Sequence, residues 1–194
     1  ALSFLSGLIH SCGQIEKKNN KIFIKIVSDV EKLFDFCQVI IKKLYGNEIK
    51  PEISDNYNIN KNTYYEIAFE VEKFKQLLLD VGVIDIENGE MTFNFDIDKN
   101  LVLEEEARRA FIKGVYIGAS TSSIKLSSDT FQSCGSGYHL EFVGQSHKFL
   151  LDFSNILAEY NIIGKIFERK NSYVLYVKDV ATIQDLLALV GANK

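Results

Sequence analysis

Two side chains near the start of the chain, His10 and Cys12, could suggest a metal site. Two ligands at one helix end fall short of the four that a structural zinc site uses. The other histidines, His139 and His147, have no serine or cysteine at a spacing that would make a nucleophile pair. Gly135-Ser136-Gly137 lacks the lysine of a phosphate-binding loop and follows no strand pattern, so a turn is expected there. Glu104-Glu105-Glu106 is most simply a helix start, where the helix dipole favours carboxylates. The cysteines Cys12, Cys37 and Cys134 are odd in number and lack paired ligand spacing, which fits reduced thiols in the cytoplasm. No metal and no other cofactor is expected.

The basic residues are the remaining candidates. Lys17, Lys18, Lys21 and Lys25 sit in and before one strand pattern, and Lys165, Arg169 and Lys170 flank a hairpin pattern. All seven could touch nucleic-acid phosphates, or could equally be solvated surface charges. Ile22, Ile24 and Ile26 share one strand face, so Lys25 should point the opposite way. Its counterpart later in the chain is Glu141, which would repel phosphate. Thr63–Phe69 is partly apolar on both faces, so its outer face stays unassigned. Net charge is −4, with 12 basic and 16 acidic residues in the first 100 positions and 10 of each after them. That balance excludes the strongly basic footprint of an autonomous DNA-binding domain, though not a local patch. No apolar run approaches membrane-spanning length, and no signal core follows Ala1.

The elements that must position these residues come twice. Displaced by 109 positions, Asn62–Val83 lies on Asn171–Ala192 without a gap, and 7 of the 22 positions are identical. Unrelated segments would share about one or two. Both copies close in Leu-Leu-x-x-Val-Gly. The second copy predicts helices over Glu104–Ala119, Ser146–Tyr160 and Ala181–Val190, with strands over Tyr138–Val143, Gly164–Arg169 and Ser172–Lys178. The first predicts helices over Leu2–Ser11, Asp29–Tyr45 and Glu72–Val81, and strands over Lys21–Val27, Glu48–Ile53 and Thr63–Phe69. Acidic Asp85–Asn100 separates the copies, with one added strand over Met91–Phe95. Each copy reads helix, strands, helix, strands, helix, so any site should lie between two similar halves.

The helices that open the copies carry small residues on one face: Gly7 and Cys12 in the first, Gly114, Gly118 and Ala119 in the second. Such faces let two helix backbones approach closely. The first opening, Leu5-Ser6-Gly7-Leu8-Ile9-His10-Ser11-Cys12-Gly13, resembles the motif that names the LAGLIDADG homing endonucleases, matching it at Leu5, Gly7, Leu8, Ile9 and Gly13. The run Glu106–Ala119, the strand Tyr138–Val143, the stretch Gly164–Val174 and the terminal Leu189–Asn193 resemble the WhiA regulators, which carry a degenerate LAGLIDADG domain. The resemblance implies an α+β fold: two αββαββα halves about a pseudo-twofold, with antiparallel sheets forming a saddle over DNA. Residues 1–84 and 104–194 would be the halves and 85–103 the linker.

In the nucleases, an acidic residue near the end of each opening helix holds a divalent metal, because hard Mg²⁺ requires oxygen ligands. The matching positions here are Cys12 and Ala119, so the resemblance implies a domain without catalysis. It further implies a cytoplasmic transcriptional regulator of sporulation and cell division. A C-terminal helix-turn-helix reader would follow in the family, and the sequence stops at Lys194 without one. Double-stranded DNA is the expected partner, bound weakly by this chain alone. The alternatives are a protein partner in transcription, docked on the saddle, and, less favoured, an active homing endonuclease.

Overall fold

The computed structural model describes residues 1–28, 30–46, 52–54, 64–122 and 139–191, with backbone alone at 52–54 and 119–122. The glycine turn at 135–137, Cys134, residues 47–50, the side chain of Ala119 and the terminal Ala192-Asn193 lie outside the described residues.

The first half runs α1 (Leu2–Cys12), β1 (Gln14–Lys18), β2 (Lys21–Ser28), α2 (Glu31–Tyr45), β3 (Glu52–Ser54), β4 (Tyr64–Glu70) and α3 (Lys75–Asp80). Its strands form one antiparallel sheet in the order β1-β2-β4-β3. The hairpin between β1 and β2 turns through Asn19 and Asn20, both at positive φ (51° and 60°), the pair of left-handed residues that a tight hairpin turn needs. Helix α2 stops at Gly46, whose φ of 67° lets its N–H cap the Lys42 carbonyl.

The second half runs α4 (Glu105–Ser122), β7 (Leu140–Gly144), α5 (His147–Ala158), β8 (Lys165–Arg169), β9 (Ser172–Val177) and α6 (Val180–Val190). The sheet order is β7-β9-β8. Side-chain caps start two of these helices: Ser146 accepts from the Phe149 N–H, and Asp179 accepts from the Thr182 N–H. The closing helices α3 and α6 are each followed by a left-handed glycine, Gly82 (φ 72°) and Gly191 (φ 71°), which is the physical content of the repeated Val-Gly.

Three expectations are corrected. The αββαββα pattern implied by the resemblance has two strands before the second helix. The first of them, which the residue pattern did not locate, is β1; it holds both Lys17 and Lys18, and the first half has four strands. Helix α3 begins at Lys75 rather than Glu72. The acidic connector is a hairpin in its own right, β5 (Ile84–Glu87) with β6 (Glu90–Phe93), turning at Asn88 and Gly89, again both at positive φ. A short 3-10 turn, Lys99–Val102, follows and leads into α4. No helix among the described residues is long and apolar enough to cross a membrane.

Each half builds its own core on one face of its sheet. Ile24, Ile26, Ile67 and Phe69 pack beneath α1 and α2 in the first, and Leu140, Phe142, Leu175 and Val177 pack beneath α4 and α5 in the second. The α1–α4 pair joins the two cores.

Candidate functional site: the helix junction and the outer sheet faces

The α1–α4 contact is set by glycine. A Cβ built on Gly7 would stand 2.3 Å from the Phe111 carbonyl oxygen, and one on Gly114 would stand 2.2 Å from the Phe4 carbonyl oxygen and 2.8 Å from the Leu8 nitrogen. On Gly118 it would meet the Ser11 hydroxyl at 1.9 Å. These are backbone-to-backbone approaches that no side chain could relieve, apart from the Ser11 contact. Around them Leu5, Leu8, Phe111, Ile112 and Val115 are essentially fully buried. The expected junction residues Gly7, Gly114 and Gly118 therefore lie together in one seam. Cys12 lies at its end, and the backbone of Ala119 follows Gly118 in α4.

At that end of α1 the chemistry is quiet. The Cys12 thiol donates to the Leu8 carbonyl at 3.1 Å, and burial pushes its pKa up to about 12, so it stays a neutral thiol. His10 is held by its Nδ1–H, which must be the donor because its 2.8 Å partner is the Ser6 carbonyl. Its ring stacks on Phe149 of the other half, with centroids 5.9 Å apart. Burial lowers the His10 pKa below its usual 6.5, against the pull of the Ser6 and Gly82 carbonyls and Asp96. Among the described residues the buried Nε2 atom has no hydrogen-bond partner. A cleft of about 230 Å³ opens beside these residues toward Ser146 and Asn171. Among the described residues no three His, Cys, Asp or Glu side chains converge to hold a metal. A neutral thiol and a buried imidazole do not fit a hard divalent cation, which needs several oxygen ligands.

The seven basic candidates do not form one surface. Partners across a ladder share a face, so the register sorts them. Lys17 is opposite Ile22 and lies on the helix side of the sheet, so it is removed from the outer face. Lys18, Lys21 and Lys25 are on the outer face, as the isoleucine alternation required of Lys25. Two of those three are tied up. Lys25 bridges Glu66 at 2.9 Å and Glu16 at 3.0 Å, and Lys21 bridges Glu70 at 2.8 Å. The Glu66 contact, reinforced by Glu16, raises the Lys25 pKa. The outer face of β4 is also resolved: Glu66, Ala68 and Glu70 are outward, Ile67 and Phe69 inward.

On the second sheet Lys165, Phe167 and Arg169 share the outer face with Glu141, Val143, Val174 and Tyr176. Lys170 stands in the turn between β8 and β9. Glu141 does not stand open to repel phosphate. Its side chain is 10% exposed and takes a bidentate bond from Arg169 at 2.7 and 3.1 Å. That bond raises the Arg169 pKa. Glu141 and Arg169 are at opposite ends of their strands, so the bridge passes over Val174, which is 1% exposed although it lies outside the second core. His139 stacks on Tyr176 at 4.9 Å beside the same carboxylate. The partners Glu16, Glu66, Glu70 and Tyr176 were missed in the sequence because only the register brings them to the cations.

This geometry has close counterparts. Residues 1–84 match the model of the WhiA N-terminal LAGLIDADG-like domain, and residues 108–194 match that of the WhiA LAGLIDADG-like domain. The probable cell division protein WhiA of Clostridium botulinum strain Hall is 31% identical over 194 residues, covering 100% of this chain and 59% of the relative. The chain thus spans about three fifths of the length of that curated relative. The crystal structure of the N-terminal LAGLIDADG domain of DUF199/WhiA superposes with a TM-score of 0.63 at 19% identity, covering 100% of this chain and 81% of that one. The homing endonuclease I-DmoI, solved in complex with DNA and Mn, superposes with a TM-score of 0.59 at 14% identity, covering 100% and 97%. The fold is that of the LAGLIDADG homing endonucleases, and the chain belongs to the WhiA family.

Proposed function

We propose that this chain is the non-catalytic LAGLIDADG-like part of a cytoplasmic WhiA-type regulator of transcription, acting in sporulation and cell division. The observation that carries the reading is the end of α1. There the glycine-packed helix pair is intact, while the position matching a metal-holding acid is Cys12, a protonated thiol bonded to its own helix. The pair serves as the rigid axle of the two halves. Specific recognition of promoter DNA falls to the part of the family's longer proteins that this chain does not span.

Direct DNA contact by this chain is weak in this account. On the first sheet three outward lysines face three outward glutamates, and on the second Arg169 is committed to Glu141. Of the seven candidates, Lys18, Lys165 and Lys170 are the exposed ones on or beside the outer faces that no described carboxylate pairs, and they are left for phosphate. That same charge balance favours the second reading, in which the sheet faces receive a protein partner in transcription. A titration of labelled duplex DNA at low and at moderate salt tests both. Weak binding that fades steeply with salt supports phosphate contact. Tight binding that salt leaves unchanged would remove the account of the sheet faces, and no binding at any salt would leave the protein-partner reading alone.

A further inference from the structure

A groove of about 560 Å³ lies on the helix side of the first half, away from the outer sheet faces. Its floor is Phe4 of α1. One wall is Phe36 of α2, whose ring stands edge-on to Phe4 at 5.2 Å and is still 51% exposed. The other wall is Ala110 and Ile117 of α4. Val39, one turn beyond Phe36, extends the apolar stripe and is 66% exposed. Phe36 and Val39 form one exposed apolar stripe on α2, continuous with the groove at Phe36, rather than scattered single residues.

The rim carries charge of one sign. Lys32 stands on α2 one turn before Phe36, and Lys113 stands on α4 between Ala110 and Ile117; both line the groove. Among the described residues neither forms an ion pair. Of the nearby carboxylates of α2, Glu31 is bonded to Tyr65 and Asp35 acts on the same hydroxyl through its charge alone; neither lines the groove. A positive rim on a chain of net charge −4 is a local reversal of sign.

We propose that this groove seats an amphipathic helix of a partner protein, one with an apolar stripe flanked by carboxylates. The apolar stripe would cover Phe36 and Val39, and the carboxylates would meet Lys32 and Lys113. This is the helix-in-groove mode of recognition, read through anchors at i, i+3 or i+4 and i+7. The site is separate from the sheet faces, so it stands whether or not those faces touch DNA.

The test uses this chain and a labelled amphipathic peptide of about four helical turns with Leu anchors and flanking Glu. Fluorescence anisotropy reads its binding. The expected result is saturable binding, weakened about tenfold by the Lys32→Glu, Lys113→Glu double variant, as two surface pairs turn from attraction to repulsion. A peptide with Lys in place of Glu should recover the loss on that variant. Phe36→Ser should weaken both peptides while leaving the thermal unfolding profile cooperative. The proposal is overturned if the peptide does not bind, or if charge reversal changes nothing. It is also overturned if the chain self-associates through Phe36, or if a longer natural form of the protein already shields Phe36 with its own flanking segment.

Discussion

Replacing Gly114 with alanine tests the helix junction at its tightest backbone approach. The new methyl would sit 2.2 Å from the Phe4 carbonyl oxygen and 2.8 Å from the Leu8 nitrogen. Ordinary contact begins near 3.4 Å, and both obstacles are backbone, so α1 and α4 must move apart by about an ångström. That movement loosens a seam holding Leu5, Leu8, Phe111, Ile112 and Val115. Overpacking of this kind costs about 1–3 kcal/mol and sometimes more, and the lost dispersion contacts add to it. Alanine's better helix propensity returns up to about 1 kcal/mol. With the lost contacts and the propensity gain about offsetting each other, the net expectation is a destabilisation of about 1–3 kcal/mol, or a fall of roughly 2–12 °C in Tm for a chain of this size. Gly7→Ala should behave alike, and the double variant should cost less than the two singles added, because one separation of the helices relieves both clashes. Gly89→Ala is the control: nothing lies within 4 Å of its Cβ, and only the left-handed φ of 82° opposes it, at about 1 kcal/mol. Urea denaturation of the four variants decides the matter. If Gly114→Ala costs no more than Gly89→Ala, the glycine seam is not what holds the halves together.

Other perturbations have equally definite outcomes. His10 has a folded pKa below 6.5, so the unfolded chain binds the proton more readily. Stability is therefore full above 6.5 and declines as pH falls from there toward the depressed folded value; His10→Gln should flatten that decline in denaturation midpoints measured between about pH 7.5 and 5.5. Cys12→Asp places a carboxylate in the buried thiol site. It should destabilise by about 1–3 kcal/mol and confer no metal-dependent nicking of DNA, because one carboxylate does not make a metal site. The Glu16→Gln, Glu66→Gln double variant releases Lys25 and makes the outer face more positive by two charges. DNA affinity at low salt should rise several-fold, with a steeper salt dependence, in a filter-binding or anisotropy titration.

The fold was legible where local pattern and tertiary need coincide. The repeated Leu-Leu-x-x-Val-Gly marks two closing helices because Leu77 and Leu186 are buried at equivalent places and each final glycine takes a left-handed φ. The small-residue faces of α1 and α4 pointed to a close helix pair for the same reason. The strand β1 escaped because Gln14–Lys18 has one apolar residue in five and lies at a sheet edge, where pairing rather than burial makes the strand. Of the connector hairpin the sequence showed the second strand, expected over Met91–Phe95 and found as β6, while β5 hid behind the acidic composition although Asn88-Gly89 is a strong turn pair. The outer-face electrostatics were not legible at all. Lys25 looks free in the sequence, and only the register of β1 and β4 sets Glu16 and Glu66 beside it. Arg169 and Glu141 are 28 residues apart and meet across an intervening strand.

The account rests on a nuclease scaffold that keeps its packing without its chemistry, and activity on a randomised pool of DNA duplexes tests this most directly. The purified chain would be incubated with the pool in Mg²⁺ or Mn²⁺, with and without chelator, and newly formed ends would be sequenced. The account predicts no excess of ends over the chelated control at any sequence. A reproducible cut site that appears with metal and vanishes with chelator would contradict it.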